Sequence, residues 1–328
     1  MMRLVALIVT AGALLFAETK PQPQGTVQRI QVHGKSLEGN LEGDSPDRDV
    51  TIYLPPGYSV NRNQRYPVLY LLHGYLVTDQ YWTGTGVSGP GVNMPGASVP
   101  AAMDNLIARG EAKPMIVVMP NAYSKYAGSM YSSSVTTGDW ETYIAEDLVA
   151  YMDSHYRTIP ERGSRGLAGH SMGGYGAVRI GMKRPDVFSS LYIMSACCLI
   201  NNPFPAPPAN SNQNTTKGAA GPLQIVAAWS AAFSPNPKNP PNYFDEPMKD
   251  GQPQPLVIAK WHAASPLAMI DQYVMNLRKY HAIMADVGLQ DGLAGQNKTL
   301  DQMMSDFGIT HAFETYEGEH ANKIPERI

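Results

Sequence analysis

Cysteine is almost missing from this 328-residue chain: Cys197 and Cys198, side by side, are its only two. That excludes a disulfide framework, and no cysteine–histidine spacing suggests a metal site. The peptide between adjacent cysteines resists a bridge, so the pair is expected to be two small buried side chains ending the apolar run 191–198. Charge is scarce too. Asp, Glu, Lys and Arg make up 16% of the chain, below the usual quarter. The net charge is −3 and no Lys/Arg run exceeds two residues. A nucleic-acid partner or an electrostatic membrane contact is thereby disfavoured. Long hydrophobic runs are absent except for residues 4–16, which are too short to span a bilayer comfortably. Preceded by Arg3 and followed by Ala17, that run reads as a secretory signal over residues 1–17. A membrane-retained anchor is the alternative, because Leu15 occupies a position where cleavage prefers a small residue. Residues 18–25 form a Pro/Gln-rich spacer, and a secreted or periplasmic location follows.

The chain is rich instead in loop formers, with 30 Gly and 27 Pro, while 43% hydrophobic content supports a sizeable core. Residues 26–328 are expected to form one domain. Residues 25–33 alternate loosely and read as an edge strand; 49–54 form a second strand. Residues 66–72 and 115–119 are apolar on both faces, as strands inside a parallel sheet are. Residues 99–108 and 140–155 have helical spacing, the second capped by Asp139. Further strands are expected at 191–198, 281–287 and 311–316, with helices at 223–233, 263–277 and 299–307. This alternation predicts an α/β fold, a mostly parallel sheet with helices on both faces. Residues 201–261, rich in Pro, Asn and Ala, interrupt it as a loop-rich insertion or lid.

The chain is organised around residues 165–176, which contain Gly169-His170-Ser171-Met172-Gly173. A short apolar run precedes this Gly-x-Ser-x-Gly and a helical stretch (175–182) follows. That context is a nucleophile elbow, a sharp strand-to-helix turn that exposes the serine hydroxyl. A serine needs a base to take its proton and a third group to orient that base. Of eight histidines, His320 lies in a loop just past the last strand, on the sheet edge where the elbow also sits. His170 flanks the serine with its side chain directed away, and His73 ends a strand beside the elbow. For the acid, Asp291 lies one loop past a strand end, whereas its rival Asp286 falls inside the strand; Asp291 is favoured. The order Ser171, Asp291, His320 is the one this fold uses. Backbone N–H groups of Met172 and Tyr75 are the expected oxyanion donors. Trp82 and Tyr175 are candidate substrate contacts, with no cofactor and no metal. Asn214-Thr-Thr and Asn297-Lys-Thr match the glycosylation pattern.

Leu71-Leu-His-Gly-Tyr75, Met115-Ile-Val-Val-Met-Pro-Asn121, Gly169-His-Ser-Met-Gly-Gly174, the Gly288-x-x-Asp291 turn and the Gly-Glu-His320 loop together resemble the "putative esterase" branch of the α/β-hydrolases. That branch includes feruloyl esterases attached to xylanases, S-formylglutathione hydrolase, enterobactin esterase and the antigen 85 mycolyltransferases. The resemblance runs from about residue 48 to the C-terminus and leaves the 201–261 insertion outside. It implies carboxylic-ester hydrolysis with Ser171, Asp291 and His320 as triad and Tyr75 and Met172 as oxyanion donors. The insertion stands where relatives shape their acyl pocket, so their substrates do not carry over. A feruloyl or acetyl ester of a carbohydrate is the expected substrate class. Acyl transfer and non-catalytic binding on the same scaffold are the alternatives.

Overall fold

The computed structural model describes residues 23–89, 92–201 and 222–328. The signal run, most of the spacer, Asn214 and part of the insertion lie outside the described residues. Eight strands make the main sheet: β1 (Thr26–His33), β2 (Asp47–Leu54), β3 (Val68–Leu72), β4 (Ile116–Pro120), β5 (Arg165–His170), β6 (Ser190–Met194), β7 (Ala282–Gly288) and β8 (Ala312–Tyr316). Their spatial order is β1-β2-β4-β3-β5-β6-β7-β8. β2 runs antiparallel to both neighbours, and every pairing from β4 to β8 is parallel.

The two-residue period of the central strands decides which face each side chain joins. Tyr70, Leu72, Val118 and Leu167 enter one buried cluster. Leu71, Val117, Met119 and Ala168 enter the other. Helices cover these faces: α1 (Val99–Ala108), α2 (Leu148–His155), α3 (Met172–Lys183), α4 (Pro222–Phe233), α5 (Pro255–Ala263) and α6 (Ala294–Asp306). The run before α2 begins at Trp140, where the Asp139 carboxylate accepts from Thr142 N–H at 3.1 Å as the cap, and it contains a π-helical turn at Tyr143–Asp147.

Two expectations about length fail. β6 stops at Met194, four residues before the end of its apolar run, because Ser195 turns into positive φ (43°). Cys197 and Cys198 therefore lie in a loop, and they are bonded to each other, against the expectation of two free thiols in a strand. In place of the helix expected over 263–277, α5 ends at Ala263 and three short helical turns follow it (Pro266–Met269, Ile270–Tyr273, Val274–Leu277). The described part of the insertion packs on the main core through Phe233, Val257 and Trp261, with Trp261 Nε1 donating to Ser234 Oγ at 3.0 Å.

One loop carries a buried acid. Between β1 and β2, the Glu42 N–H donates to Thr136 O at 3.0 Å, and among the described residues neither carboxyl oxygen of Glu42 has a hydrogen-bond partner. Burial, then the charge of Asp44 alongside, pushes this carboxyl up to about 9.

Candidate active site

Ser171 sits between β5 and α3 with φ 58° and ψ −114°, a conformation that non-glycine residues rarely hold unless their surroundings enforce it. The enforcement is visible on both peptide groups. Ser171 N–H donates to Met194 O at 3.0 Å, and Ser171 O accepts from Cys197 N–H at 3.1 Å. The turn is also too tight for side chains at its shoulders. A Cβ at Gly169 would lie 2.3 Å from Gly173 O, and one at Gly173 would lie 2.1 Å from Leu72 O. The spacing of the glycines in the motif thus has a steric cause.

Ser171 Oγ lies 2.9 Å from His320 Nε2, and His320 Nδ1 lies 2.8 Å from Asp291 Oδ2. The three residues come from three different strand ends. Asp291 follows β7 and His320 follows β8, and the two loops are tied together: Gln290 N–H donates to Gly318 O at 3.0 Å, and Gly318 N–H donates to Gln290 Oε1 at 2.6 Å. Asp291 is nearly buried, which opposes ionisation. The hydrogen bond from His320, its charge and the Leu293 N–H at 2.8 Å outweigh that and hold the carboxyl below its ordinary range. Asp286 is otherwise engaged. Fully buried in β7, it accepts from Tyr192 Oη at 2.5 Å and from Arg327 Nε at 2.8 Å. This ion pair pins the C-terminal helix Ile324–Arg327.

Two histidines do work that their sequence positions did not announce. His170 is buried, with its ring 4.7 Å from that of His320, and its Nε2 lies 2.8 Å from His320 O. The neutral ring donates there and fixes the backbone of the His320 loop. Burial first, then the nearby His320, lowers His170 to about 3, so it stays neutral. His73 Nδ1–H donates to Gly74 O at 2.8 Å while its Nε2 accepts Ala122 N–H at 2.8 Å. Burial lowers His73 to about 4. It thereby shapes the loop that carries Tyr75. The clue available in sequence was a histidine immediately beside Gly74 and another inside the elbow.

That loop lies against Ser171: a Cβ at Gly74 would be 3.4 Å from Ser171 Cβ. Met172 is the first residue of α3, so its N–H belongs to the turn that lacks intrahelical acceptors. The Tyr75 ring and Met172 Sδ both close on Gly128, at 2.7 and 2.6 Å from a Cβ built there. Trp82 and Tyr175 do not line this site. Both are fully buried, Trp82 in the cluster with Val99 and Ile324, and Tyr175 with its hydroxyl donating to Ala264 O at 3.0 Å. Their rings fill the core, Trp82 against the Tyr81 ring and Tyr175 against the Phe233 ring of the insertion. Asn297 is likewise fully buried, so this glycosylation pattern has no accessible acceptor in the folded chain.

The eight-stranded order, the strained serine at a strand-to-helix turn and the histidine past the last strand define the α/β-hydrolase class. Within that class the chain belongs to the family described as "Putative esterase", which it matches over residues 45–324. It is 30% identical over 185 residues to an endo-1,4-beta-xylanase/feruloyl esterase of Xylanibacter ruminicola, covering 55% of this chain and 23% of that protein. It is 32% identical over 142 residues to an esterase of Mycobacterium tuberculosis, covering 43% of this chain and 27% of that protein. The chain thus spans about a quarter of the length of these curated relatives. Among solved structures it is similar to a ferulic acid esterase, at TM-score 0.62 and 26% identity, covering 90% of this chain and 92% of that one. A fluorophosphonate-binding serine hydrolase of Staphylococcus aureus shares the fold at TM-score 0.58 and 18% identity, covering 90% and 92%.

Proposed function

We propose that the chain is an exported serine esterase that cleaves carboxylic esters through an acyl-enzyme, with Ser171, His320 and Asp291 as its triad. The observation that carries this reading is the unbroken chain from Ser171 Oγ to His320 Nε2 and from His320 Nδ1 to Asp291 Oδ2, at 2.9 and 2.8 Å. His320 Nε2 takes the Ser171 proton as Oγ attacks the ester carbonyl. The resulting oxyanion is held by the N–H groups of Met172 and Tyr75, each worth about 3 kcal/mol to the transition state. His320 then returns the proton to the departing alcohol. A water deprotonated by the same imidazole attacks the acyl-enzyme, releases the acid and restores the serine. Asp291 stays ionised throughout and keeps Nδ1–H in place.

Feruloyl or acetyl esters of carbohydrate are the proposed substrates. The names of the xylanase/feruloyl esterase relative and of the ferulic acid esterase structure support that class. Trp82 and Tyr175 give it no support. Export is supported by the N-terminal apolar run and by a disulfide, a bond that persists mainly in oxidising compartments.

A fluorophosphonate probe should label the wild-type protein and fail on Ser171→Ala with the fold intact. An unlabelled wild-type protein would sink the esterase reading in favour of a non-catalytic role. Feruloyl esters should be turned over faster than short p-nitrophenyl esters; equal rates would remove the aromatic preference. Ester formation with a competing alcohol, in place of free acid, would move the assignment to acyl transfer.

A further inference from the structure

Asn297 is an exposed-looking sequence feature, a polar residue in a helix inside a glycosylation pattern, yet it is fully buried. Both amide N–H donors and one lone pair of the oxygen are used. Its Oδ1 accepts Ala196 N–H at 3.1 Å. Its Nδ2 donates to Ala196 O at 2.9 Å and to Leu293 O at 3.0 Å. The amide orientation follows from the partners, because two carbonyls require donors and one N–H requires an acceptor.

Both ends of this bridge lead to the reacting groups. Ala196 lies between Met194, whose carbonyl takes the Ser171 N–H, and Cys197, whose N–H donates to the Ser171 carbonyl. The segment that grips the strained serine is therefore the segment Asn297 holds. Leu293, at the other end, donates its N–H to Asp291 Oδ1 at 2.8 Å, and Ala294 N–H donates to Asp291 O at 3.0 Å. The neighbouring Gln296 reinforces the tie, with its Oε1 accepting Leu199 N–H at 2.8 Å. No backbone ladder joins the 194–199 loop to the first turn of α6; these side chains do.

We propose that Asn297 is a positioning residue for the reaction, a single buried amide that sets the nucleophile's supporting loop against the turn carrying the triad carboxylate. It touches no substrate. Its loss lets Ser171 and Asp291 drift relative to His320, so the chemical step slows while substrate binding is little changed. Misplacement of reacting groups by about 1 Å costs roughly a hundredfold. The inference rests on the esterase reading.

The test compares the wild type with Asn297→Leu, which keeps the γ-branched skeleton at a larger volume and deletes every bond. Asn297→Asp keeps the shape and one acceptor but loses both donors, and it serves if the first variant fails to fold. Met304→Ala, in the same helix with a core-facing side chain 1% exposed, controls for lost stability. Three quantities are read for each protein: kcat and KM on p-nitrophenyl acetate, the rate of fluorophosphonate labelling, and the midpoint of thermal unfolding. The expected result is a fall of about 10- to 100-fold in kcat and in labelling rate for the Asn297 variants, with KM within about threefold of wild type. Met304→Ala should keep kcat despite a comparable drop in unfolding midpoint. Wild-type kcat and labelling in both Asn297 variants would overturn the inference and leave the esterase reading standing. An equal loss of kcat in Met304→Ala at matched stability would also overturn it, reducing Asn297 to a packing residue. A wild type that neither labels nor turns over would instead bring down the esterase reading, and this inference with it.

Discussion

Replacing Glu42 by Gln should stabilise the protein, and by more as the pH rises. In the unfolded chain this carboxyl ionises near 4.5; in the folded chain burial and Asp44 move it up to about 9. A group whose folded value is raised costs nothing below its unfolded value and takes stability away as the pH climbs past it. Each pH unit between the two values costs about 1.4 kcal/mol. At pH 5 the cost is below about 1 kcal/mol, and at pH 7 it reaches about 3 kcal/mol. A glutamine of the same shape never ionises, and its amide can donate to the Asp44 carboxylate that now stands beside an orphaned acid. Urea denaturation of wild type and Glu42→Gln at pH 5, 6, 7 and 8 reads the difference directly. It should start near zero and widen steadily. A difference that stays flat across that range would show that Glu42 ionises as freely in the fold as out of it, and the argument from burial would be wrong.

Other outcomes follow from the site. Asp291→Asn should lower kcat by about 10³- to 10⁴-fold with little change in KM, since the amide favours the wrong imidazole tautomer; steady-state kinetics on a p-nitrophenyl ester checks it. His170→Phe deletes the donor to His320 O and should cost about tenfold in kcat. The same variant should flatten the acid side of the stability curve. The neutral His170 keeps its full contribution above about pH 6.5 and loses about 2 kcal/mol by pH 5; unfolding at pH 7 and 5 against wild type measures it, and equal slopes would contradict it. Gly173→Ala sets a Cβ against Leu72 O and should destabilise by about 4 kcal/mol or more, seen as insoluble expression or a collapsed unfolding midpoint.

Periodicity carried the sheet. The doubly apolar runs at β3 and β4 and the helix at Val99–Ala108 fall where spacing puts them, because burial on both faces leaves a mark on every residue. The strand-end positions of His320 and Asp291 were legible for a related reason: in a parallel sheet, loops after strands share one edge. Asp286 shows the limit, since only its Arg327 and Tyr192 partners reveal that it belongs to an ion pair. Trp82 and Tyr175 were misread because an aromatic near a motif looks the same whether it faces solvent or core. α5 was hidden by its composition: Leu256, Val257, Ile258 and Trp261 leave no clear polar stripe, although Pro255 at its first position was a usable start signal. The bond between Cys197 and Cys198 depends on the loop after β6 leaving the sheet at Ser195, a turn that nothing in the local sequence declares.

The sealed amide at position 297 has a practical side. A cell that attaches sugars to Asn-x-Thr as the chain emerges meets this asparagine before any fold protects it. A glycan fixed there could not follow its residue inward, so that fraction of the product would be trapped short of the native state. Recombinant material from a host with that machinery should therefore come out mixed, and exchanging Thr299, whose hydroxyl donates to Gly295 O within its own helix, is the change that would cure it.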